Sequence, residues 1–319
     1  MRRLVVLEIP GLSRSMAERY APGIRDLGPL KTLAPERPAL TLPAHASLMT
    51  GLPVTGHGVV ANGWFQRDRN EVMMWPQGEG LVSGEKVWEA GKKRHPDFTC
   101  LKHFWWPGMG STTDIHTNVR PAYFADGRKS GDLYTNRPGL AAEIQSNFGP
   151  FPLFKFWGPG ANIESSRWIA RSGAWLFERF KPTLSLIYLP HLDYRQQTHG
   201  PDDPSIAVEV TALDEVVSDL VSGLRAAGAE VMVLSSYTMQ AVSRPVHLNR
   251  VLREAGLLRI MENPTGELID LGMSEAFAVS DHQIAHVYVK NDPAPVRQRL
   301  ESLPGVAAVH EGIHPNQGD

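Results

Sequence analysis

The sequence predicts an α/β protein built around a central, mostly parallel β-sheet. Short apolar runs that end in polar or glycine-containing turns recur along its 319 residues, at Leu4–Ile9, Leu184–Leu189 and Val231–Leu234. Continuous apolar runs of this length are typical of parallel strands that are buried on both faces. Between the last two runs, Ser205–Ala227 carries apolar residues at helical spacing and is followed by the helix stop Gly228. This order of strand, helix and strand predicts a right-handed parallel crossover.

The middle of the chain, residues 76–160, differs in composition and is predicted to be an inserted subdomain. It is dense in Trp, Phe, Pro and Gly, especially in the stretches that begin at His103, Arg120 and Phe151. Such segments suit an insertion or cap that forms one wall of a site, and aromatic core packing beneath long loops is the alternative interpretation. We therefore expect a single domain over residues 1–319 that includes this aromatic-rich insertion.

Composition excludes several classes of protein. A charged fraction of 21% and a formal net charge of -2 give no basic surface for nucleic acid. The single Cys100 rules out an internal disulfide and fits a reducing compartment. The first apolar run is interrupted by Glu8 and Pro10, which indicates a strand rather than a signal peptide, and no apolar run approaches the roughly 18 to 20 residues of a membrane span. We predict a cytoplasmic protein without nucleic-acid or membrane partners; the sequence leaves the oligomeric state open.

A segment that starts at Thr41 combines features of a phosphate site. Thr41 is followed by Pro43 and His45, and proline is well placed in the first turn of a helix, where its missing N–H needs no partner. A helix amino terminus carries partial positive charge and free N–H groups, which stabilise phosphate oxygens. The alternative is that Thr41 only caps its helix.

This segment resembles the nucleophile motif of the alkaline phosphatase superfamily, in its type I phosphodiesterase/nucleotide pyrophosphatase family. In that motif a threonine ahead of Pro-x-His attacks phosphorus, and a downstream asparagine, here Asn62, helps to bind the phosphoryl oxygens. Further stretches that resemble a bacterial subgroup of the family begin at Glu85, Tyr188, Ser243 and Ala276. The resemblance implies an alkaline-phosphatase-like three-layer sandwich, with Thr41 and Asn62 as catalytic residues.

The resemblance also implies two divalent metals, usually zinc, and the chain departs from the family at the metal beside the nucleophile. The family's first ligand is an Asp after strand one, where this chain has Pro10. Its Ser-Asp-His-Gly-Met stretch corresponds to Ser235–Met239, so Ser236 and Tyr237 replace an Asp and a His. Proline has no donor atom, and neutral Ser and Tyr are poor ligands for a dication. We predict that this second metal is absent.

The other metal position is better preserved. By the same resemblance, Asp193 and His282 match two of its ligands, and Gln197 stands where the family has a third, a histidine. His199 or His191 could replace that histidine, which would give a site for one zinc or manganese ion. The alternative is a metal-free polar pocket in which Asp193 and His282 form a carboxylate–imidazole pair.

Without a metal to activate it, Thr41 would need a general base. Several histidines near the motifs are candidates that the sequence does not rank: His45, His57, His247 and His282. Arg244 and Arg250 could bind an anionic group bidentately, and salt bridging in helices and loops is the alternative. Arg244 and His247 are predicted to be substrate-binding residues. Trp64 and Tyr194 are predicted to line the part of the site that binds the leaving group.

Two functions follow from these residues. The first is a divergent phosphodiesterase or phosphatase-like hydrolase, which acts on a small-molecule phosphate or related ester through Thr41 with at most one metal. The alternative is a catalytically inactive family member that binds an anionic metabolite or supports a biosynthetic pathway. An ordinary two-metal nucleotide pyrophosphatase fits the substitutions at Pro10, Ser236 and Tyr237 least well.

Overall fold

The computed structural model describes residues 1–34, 37–120, 122–123 and 129–311. The strands in this part of the chain are, in order, β1 (Arg3–Glu8), β2 (Gly63–Gln66), β3 (Glu71–Met74), β4 (Cys100–His103), β5 (Ile115–Val119), β6 (Ala122–Tyr123), β7 (Lys129–Ser130), β8 (Leu133–Thr135), β9 (Leu184–Tyr188), β10 (Ala229–Leu234), β11 (Ile260–Asn263), β12 (Gly266–Ile269), β13 (Ala276–Asp281) and β14 (Ile284–Val289). The α-helices are α1 (Arg14–Tyr20), α2 (Pro22–Arg25), α3 (Thr41–Thr50), α4 (Val54–His57), α5 (Val87–Arg94), α6 (Leu140–Phe148), α7 (Leu153–Phe156), α8 (Ile163–Phe180), α9 (His191–His199), α10 (Ser205–Ala226), α11 (Leu248–Glu254) and α12 (Ala294–Glu301), and a short 3-10 helix spans Glu79–Leu81.

The chain divides into two compact units, of which the first comprises Met1–Gly58 and Gln77–Val242. This unit contains a six-stranded sheet with the strand order β10-β1-β9-β4-β5-β8. All neighbouring strands in it are parallel except the antiparallel pair β5 and β8. The three apolar runs singled out in the sequence form β1, β9 and β10, and the expected helix between the last two is α10. The predicted α/β class with a mostly parallel central sheet is confirmed.

The register of the sheet brings three strand ends together. Glu8, the last residue of β1, is paired with Leu234 at the end of β10 and with Tyr188 at the end of β9. Because the carboxyl ends of parallel strands share one edge, the segments that follow them converge there. Tyr237 follows β10, and Asp193 lies in the first turn of the helix after β9. The sheet thus places both side chains at the edge where β1 ends.

Helix α10 packs against α8, α9 and β10, and also against α1 and α2. Its buried apolar residues include Val210, Leu213, Val217, Leu220 and Leu224, which follow the helical spacing expected from the sequence. The same helix buries Asp214, whose carboxylate accepts the backbone N–H groups of Gly23 at 2.9 Å and Ile24 at 2.7 Å. This carboxylate satisfies two of the free donors in the first turn of α2 and so fixes that helix on α10.

The aromatic stretches of the expected insertion pack as core in the described residues. The Phe151 ring centroid lies 4.8 Å from that of Phe104, 5.4 Å from that of Phe156 and 5.1 Å from that of Trp168. Aromatic core packing is therefore the interpretation that the stretches at His103 and Phe151 support. Most of the stretch after Arg120, residues 121 and 124–128, lies outside the described residues.

The buried His103 gives the first unit a predicted weakness at acid pH. Its ring nitrogens lie 2.5 Å from Thr117 Oγ1 and 2.9 Å from Ser172 Oγ. Burial lowers the pKa of His103 to about 3, against about 6.5 in an unfolded chain. The unfolded chain therefore binds one more proton between these values, so the free energy of unfolding falls as pH drops through this window, by up to about 1.4 kcal/mol per pH unit.

Urea unfolding between pH 7 and pH 4 measures this effect. We expect His103→Gln to be less stable than the wild type at pH 7 and to lose less stability on acidification. If the free energy of unfolding fell equally steeply with pH in the two proteins, His103 would not be the group responsible for the loss.

The second unit comprises Val59–Pro76 and Ser243–Asp319. It contains the antiparallel pairs β2–β3, β11–β12 and β13–β14, together with α11 and α12. Its core is built on three aromatic rings, since the Phe65 centroid lies 5.0 Å from that of Phe277 and 5.4 Å from that of Tyr288. The sequence did not indicate this division, and all of 77–160 that is described lies in the first unit. The predicted single domain with an insertion at 76–160 stays a prediction.

No helix in the described part of the chain is both long enough and apolar enough to cross a membrane.

Candidate active site

Thr41 is the first residue of α3 and is buried, with 3% of its surface exposed. The N-cap of the helix is Leu40, which has extended backbone angles and no side chain that could cap. Pro43 lies in the first turn, where its missing N–H leaves no intrahelical hydrogen bond unmade. Thr41 therefore does not act as the helix cap, and its hydroxyl is directed toward other partners.

Two tyrosine hydroxyls and a carboxylate form a chain through Thr41. Thr41 Oγ1 lies 3.0 Å from the Tyr237 hydroxyl, and Tyr188 also hydrogen-bonds to Thr41. The Tyr237 hydroxyl donates to Asp193 Oδ2 at 2.8 Å. Because a tyrosine hydroxyl has one proton, Thr41 must be the donor in its hydrogen bond to Tyr237. The Thr41 proton thus faces the Tyr237 oxygen, whose own proton faces Asp193.

The Asp193 carboxyl group is buried, with 5% of the residue exposed, and its Oδ1 atom has no hydrogen-bond partner. Burial raises the pKa of Asp193 to about 7. The Tyr237 hydroxyl and the Tyr194 N–H oppose this rise, whereas the negative charge of Glu8 adds to it. Burial and the charge of Asp193 also raise the pKa of Tyr237 well above its usual range, so the phenol stays neutral and keeps its proton.

Glu8 is a second buried carboxylate at the same edge of the sheet, with no exposed surface. Its Oε1 accepts the Ser236 hydroxyl at 2.5 Å and the Ser236 N–H at 3.2 Å. Its Oε2 lies 3.4 Å from His45 Nε2. Since the backbone N–H of Trp106 donates to His45 Nδ1 at 3.1 Å, the proton of the neutral ring lies on Nε2 and faces Glu8. The carboxylate therefore ties β1, α3 and the segment after β10 together.

Two of the four histidines proposed as bases, His45 and His57, have other partners in the structure. His45 has both ring nitrogens engaged, and its ring stacks on Trp105 with centroids 4.4 Å apart. His57 is buried in α4, with Nε2 2.9 Å from Ser47 Oγ. Neither contacts Thr41 in the hydrogen bonds that the structure shows. The His57 ring thus links α4 to Ser47 of α3, and the His45 ring links α3 to Glu8 and Trp106.

Five further predicted site residues belong to the second unit. Asn62 is buried there, and Asp281 accepts its backbone N–H at 2.7 Å and its side-chain amide at 3.3 Å. Trp64 is buried in β2, whereas Arg244 is exposed, as are the other two candidate bases, His247 and His282. His282 Nε2 lies 3.7 Å from Asp281 Oδ1. The roles predicted for these residues, and for the half-buried Tyr194 of the first unit, stay predictions.

The donor set beside Thr41 does not fit the metal that the family resemblance implies there. Pro10 offers no side-chain donor atom, and Ser236 gives both its hydroxyl and its N–H to Glu8. The Tyr237 hydroxyl, which keeps its proton, contacts both Thr41 and Asp193. A protonated phenol is a poor ligand for a hard or borderline dication.

The ligand set predicted for the other metal, Asp193, His199 and His282, stays a prediction. Asp193 and His199 are six residues apart on α9, and a rotation of about 100° per residue places them about 120° apart around the helix axis. In the described residues, no group of three or more His, Cys, Asp or Glu side chains is placed to hold a metal ion. The geometry therefore adds nothing in favour of this ligand set.

Sequence reasoning missed two residues of the site. Glu8 closes an apolar strand, and a carboxylate inside such a run is a signal of a paired, buried charge. Tyr188 lies at the end of β9, where it contacts Thr41 and the edge of the His45 ring. Tyr237 was noticed only as the loss of a ligand, because sequence does not show where a phenol points.

The mostly parallel sheet and the threonine hydroxyl beside its carboxyl edge define an α/β protein with a candidate nucleophile at the strand ends. A family model described as type I phosphodiesterase / nucleotide pyrophosphatase matches residues 4–314. The chain belongs to this family. It is 24% identical over 199 residues to an uncharacterized pyrophosphatase/phosphodiesterase of Schizosaccharomyces pombe, a match that covers 60% of this chain and 34% of that protein. It is 23% identical to murine ectonucleotide pyrophosphatase/phosphodiesterase family member 1, over 77% of this chain and 24% of that protein. The chain thus spans only a quarter to a third of these relatives.

Solved structures show the same fold. Murine ectonucleotide pyrophosphatase/phosphodiesterase 5, as an inactive threonine-to-alanine variant in complex with AMP, superposes with a TM-score of 0.63 at 14% identity, over 96% of this chain and 70% of that chain. Phosphonoacetate hydrolase from Sinorhizobium meliloti, in complex with phosphonoformate, gives a TM-score of 0.62 at 14% identity, over 95% of this chain and 73% of that chain. At this identity the likeness shows the fold alone, and it confirms the alkaline-phosphatase-like architecture.

Proposed function

We propose that the chain is a phosphoester hydrolase in which Thr41 Oγ1 forms a covalent bond to phosphorus. Membership of the type I phosphodiesterase / nucleotide pyrophosphatase family supports phosphoester hydrolysis. The observation that carries the proposal is the Thr41 hydroxyl, which lies in the first turn of α3 and hydrogen-bonds to a phenol at the end of β10. A relative made inactive by a threonine-to-alanine change adds support from the same fold.

The reaction has two displacement steps. Thr41 Oγ1 attacks phosphorus, and the bond from phosphorus to the ester oxygen breaks to release an alcohol. Water then attacks the phosphorylated threonine and regenerates its hydroxyl. The amino terminus of α3 supplies partial positive charge to the phosphoryl oxygens. In this proposal Asn62 adds a further donor to those oxygens, as the family resemblance implies.

The proposed substrate is a small-molecule phosphate or related ester. Solved relatives with this fold bind AMP and phosphonoformate, which makes nucleotide and phosphonate esters the first classes to test. The proposal includes at most one divalent metal, zinc or manganese, on Asp193, His199 and His282. When bound, such an ion would polarise a phosphoryl oxygen, and neither displacement step above depends on it.

The test is a screen of p-nitrophenyl esters with one shared leaving group: a phosphodiester, a phosphonate ester and a sulfate ester, each with and without added zinc or manganese. We expect turnover of at least one phosphorus ester. A chain that hydrolyses none of them yet binds AMP in a calorimetric titration would contradict the proposal. That result would instead support the non-catalytic alternative, a family member that binds an anionic metabolite.

A further inference from the structure

The position predicted to have lost its metal is filled by a side chain with a defined pair of partners. The Tyr237 hydroxyl lies 3.0 Å from Thr41 Oγ1 and 2.8 Å from Asp193 Oδ2. In a metal-dependent hydrolase, the ion beside the nucleophile holds its oxygen and favours loss of its proton. A hydroxyl that accepts from Thr41 and donates to a carboxylate can perform the first of these tasks, because it fixes the direction of the Thr41 proton.

We propose that Tyr237 is a positioning residue that takes the place of the metal beside the nucleophile and orients the Thr41 hydroxyl for attack on phosphorus. This inference rests on the proposed function and deepens it. The family motif has a histidine at this point in the sequence, and no metal ligand is preserved at Pro10 or Ser236.

The two displacement steps balance with water as the only co-reactant. As the bond from Thr41 Oγ1 to phosphorus forms, the bond from phosphorus to the ester oxygen breaks, and the proton lost by Thr41 passes through solvent to the departing oxygen. When water later attacks phosphorus, one of its protons stays on the new phosphate oxygen and the other passes to Thr41 Oγ1. Tyr237 keeps its own proton in both steps and holds the Thr41 hydroxyl in one orientation.

The backbone around Tyr237 is fixed, as a positioning role requires. The Tyr237 carbonyl oxygen accepts the Gly11 N–H at 2.9 Å and the Ser235 hydroxyl at 2.9 Å. The preceding Ser236 is anchored to the buried Glu8 through two hydrogen bonds. The Cβ of any larger residue at Gly11 would lie 3.3 Å from the Asp193 Cα and 2.7 Å from the Gln196 amide nitrogen. The turn after β1 is therefore packed directly on the helix that carries Asp193.

The first experiment replaces Tyr237 with phenylalanine, which keeps the ring and removes only the hydroxyl. Because the Thr41 hydroxyl would lose its fixed orientation, we expect kcat for the best ester of the screen to fall by about 100-fold, with KM changed by less than about threefold. The matched control is Tyr20→Phe, which removes an exposed hydroxyl at the end of α1 and is expected to leave kcat unchanged. A Tyr237→Phe protein that folds normally and retains kcat within threefold would overturn the proposal.

The second experiment measures zinc rather than turnover. The triple variant Pro10→Asp, Ser236→Asp and Tyr237→His restores the family ligands and removes the phenol. We expect calorimetric titration to show one more zinc ion bound per chain in this variant than in the wild type. Equal zinc stoichiometry in a folded triple variant would overturn the claim that Tyr237 stands in the place of a metal. A wild-type chain that hydrolyses no ester would defeat the proposed function, while the zinc titration would still decide the role of Tyr237.

Discussion

Replacing Thr41 with alanine is expected to lower kcat/KM by at least about 10³-fold for whichever ester the chain hydrolyses, equivalent to about 4 kcal/mol of transition-state stabilisation. Alanine has no oxygen that could form a bond to phosphorus, so covalent catalysis is removed altogether rather than weakened. The change also removes the donor that faces Tyr237, so the phenol loses one partner while it still donates to Asp193.

Two further variants separate chemistry from structure. Thr41→Ser keeps a hydroxyl at the same place and is expected to retain turnover within about tenfold. Thr50→Ala is the matched control, because Thr50 is the last residue of the same helix, and its hydroxyl donates to the Ala46 carbonyl at 2.8 Å and accepts from the Leu52 N–H at 3.2 Å. In steady-state assays we expect Thr50→Ala to have the same kcat/KM as the wild type. Full activity in Thr41→Ala would contradict the nucleophile assignment.

Replacing Lys102 with methionine is expected to destabilise the protein by about 3–5 kcal/mol, because it leaves a buried carboxylate without its counter-charge. Lys102 is fully buried in β4 and forms an ion pair with Glu79. Its ammonium group also donates to the Pro107 carbonyl at 2.7 Å and lies over the Trp88 ring, 5.1 Å from the centroid. Burial lowers the pKa of Lys102, and the charge of Glu79 opposes that fall.

The double variant Lys102→Met with Glu79→Gln tests whether the unpaired Glu79 carboxylate causes this loss of stability. The Glu79→Gln change removes the unpaired charge, while the amide oxygen of the new side chain keeps an acceptor for the Thr112 N–H, which bonds Glu79 at 3.2 Å. Urea unfolding should therefore show the double variant to be more stable than Lys102→Met alone. A single variant that costs less than about 1 kcal/mol would show that the ion pair does not stabilise the fold.

The fold could be predicted because its signals are local. The apolar runs Leu4–Ile9, Leu184–Leu189 and Val231–Leu234 are too short and too continuous for surface helices, and each became a strand of the same sheet. The helical spacing of Ser205–Ala227 likewise identified α10 to within one residue. The burial of each element is reflected in the apolar pattern of its own residues, and that pattern can be read from a single sequence.

The site could be predicted only in part, because its contacts are distant in sequence. Thr41 was found from its position before Pro43 and from the family motif, but its partner Tyr237 lies 196 residues away. Glu8 and Ser236 are 228 residues apart. Nothing in the local sequence shows that a phenol would turn toward Thr41, or that a strand-end carboxylate would hold the segment after β10.

Covalent trapping shows directly whether Thr41 Oγ1 forms a bond to phosphorus. The chain is mixed with an excess of the best p-nitrophenyl phosphodiester, quenched in acid during turnover and digested, and the peptides are mapped by mass spectrometry. If Thr41 is the nucleophile, a phosphoryl adduct will be found on the peptide that contains Thr41 and will be absent in Thr41→Ala. An adduct on any other residue, or turnover by Thr41→Ala at the wild-type rate, would contradict that assignment.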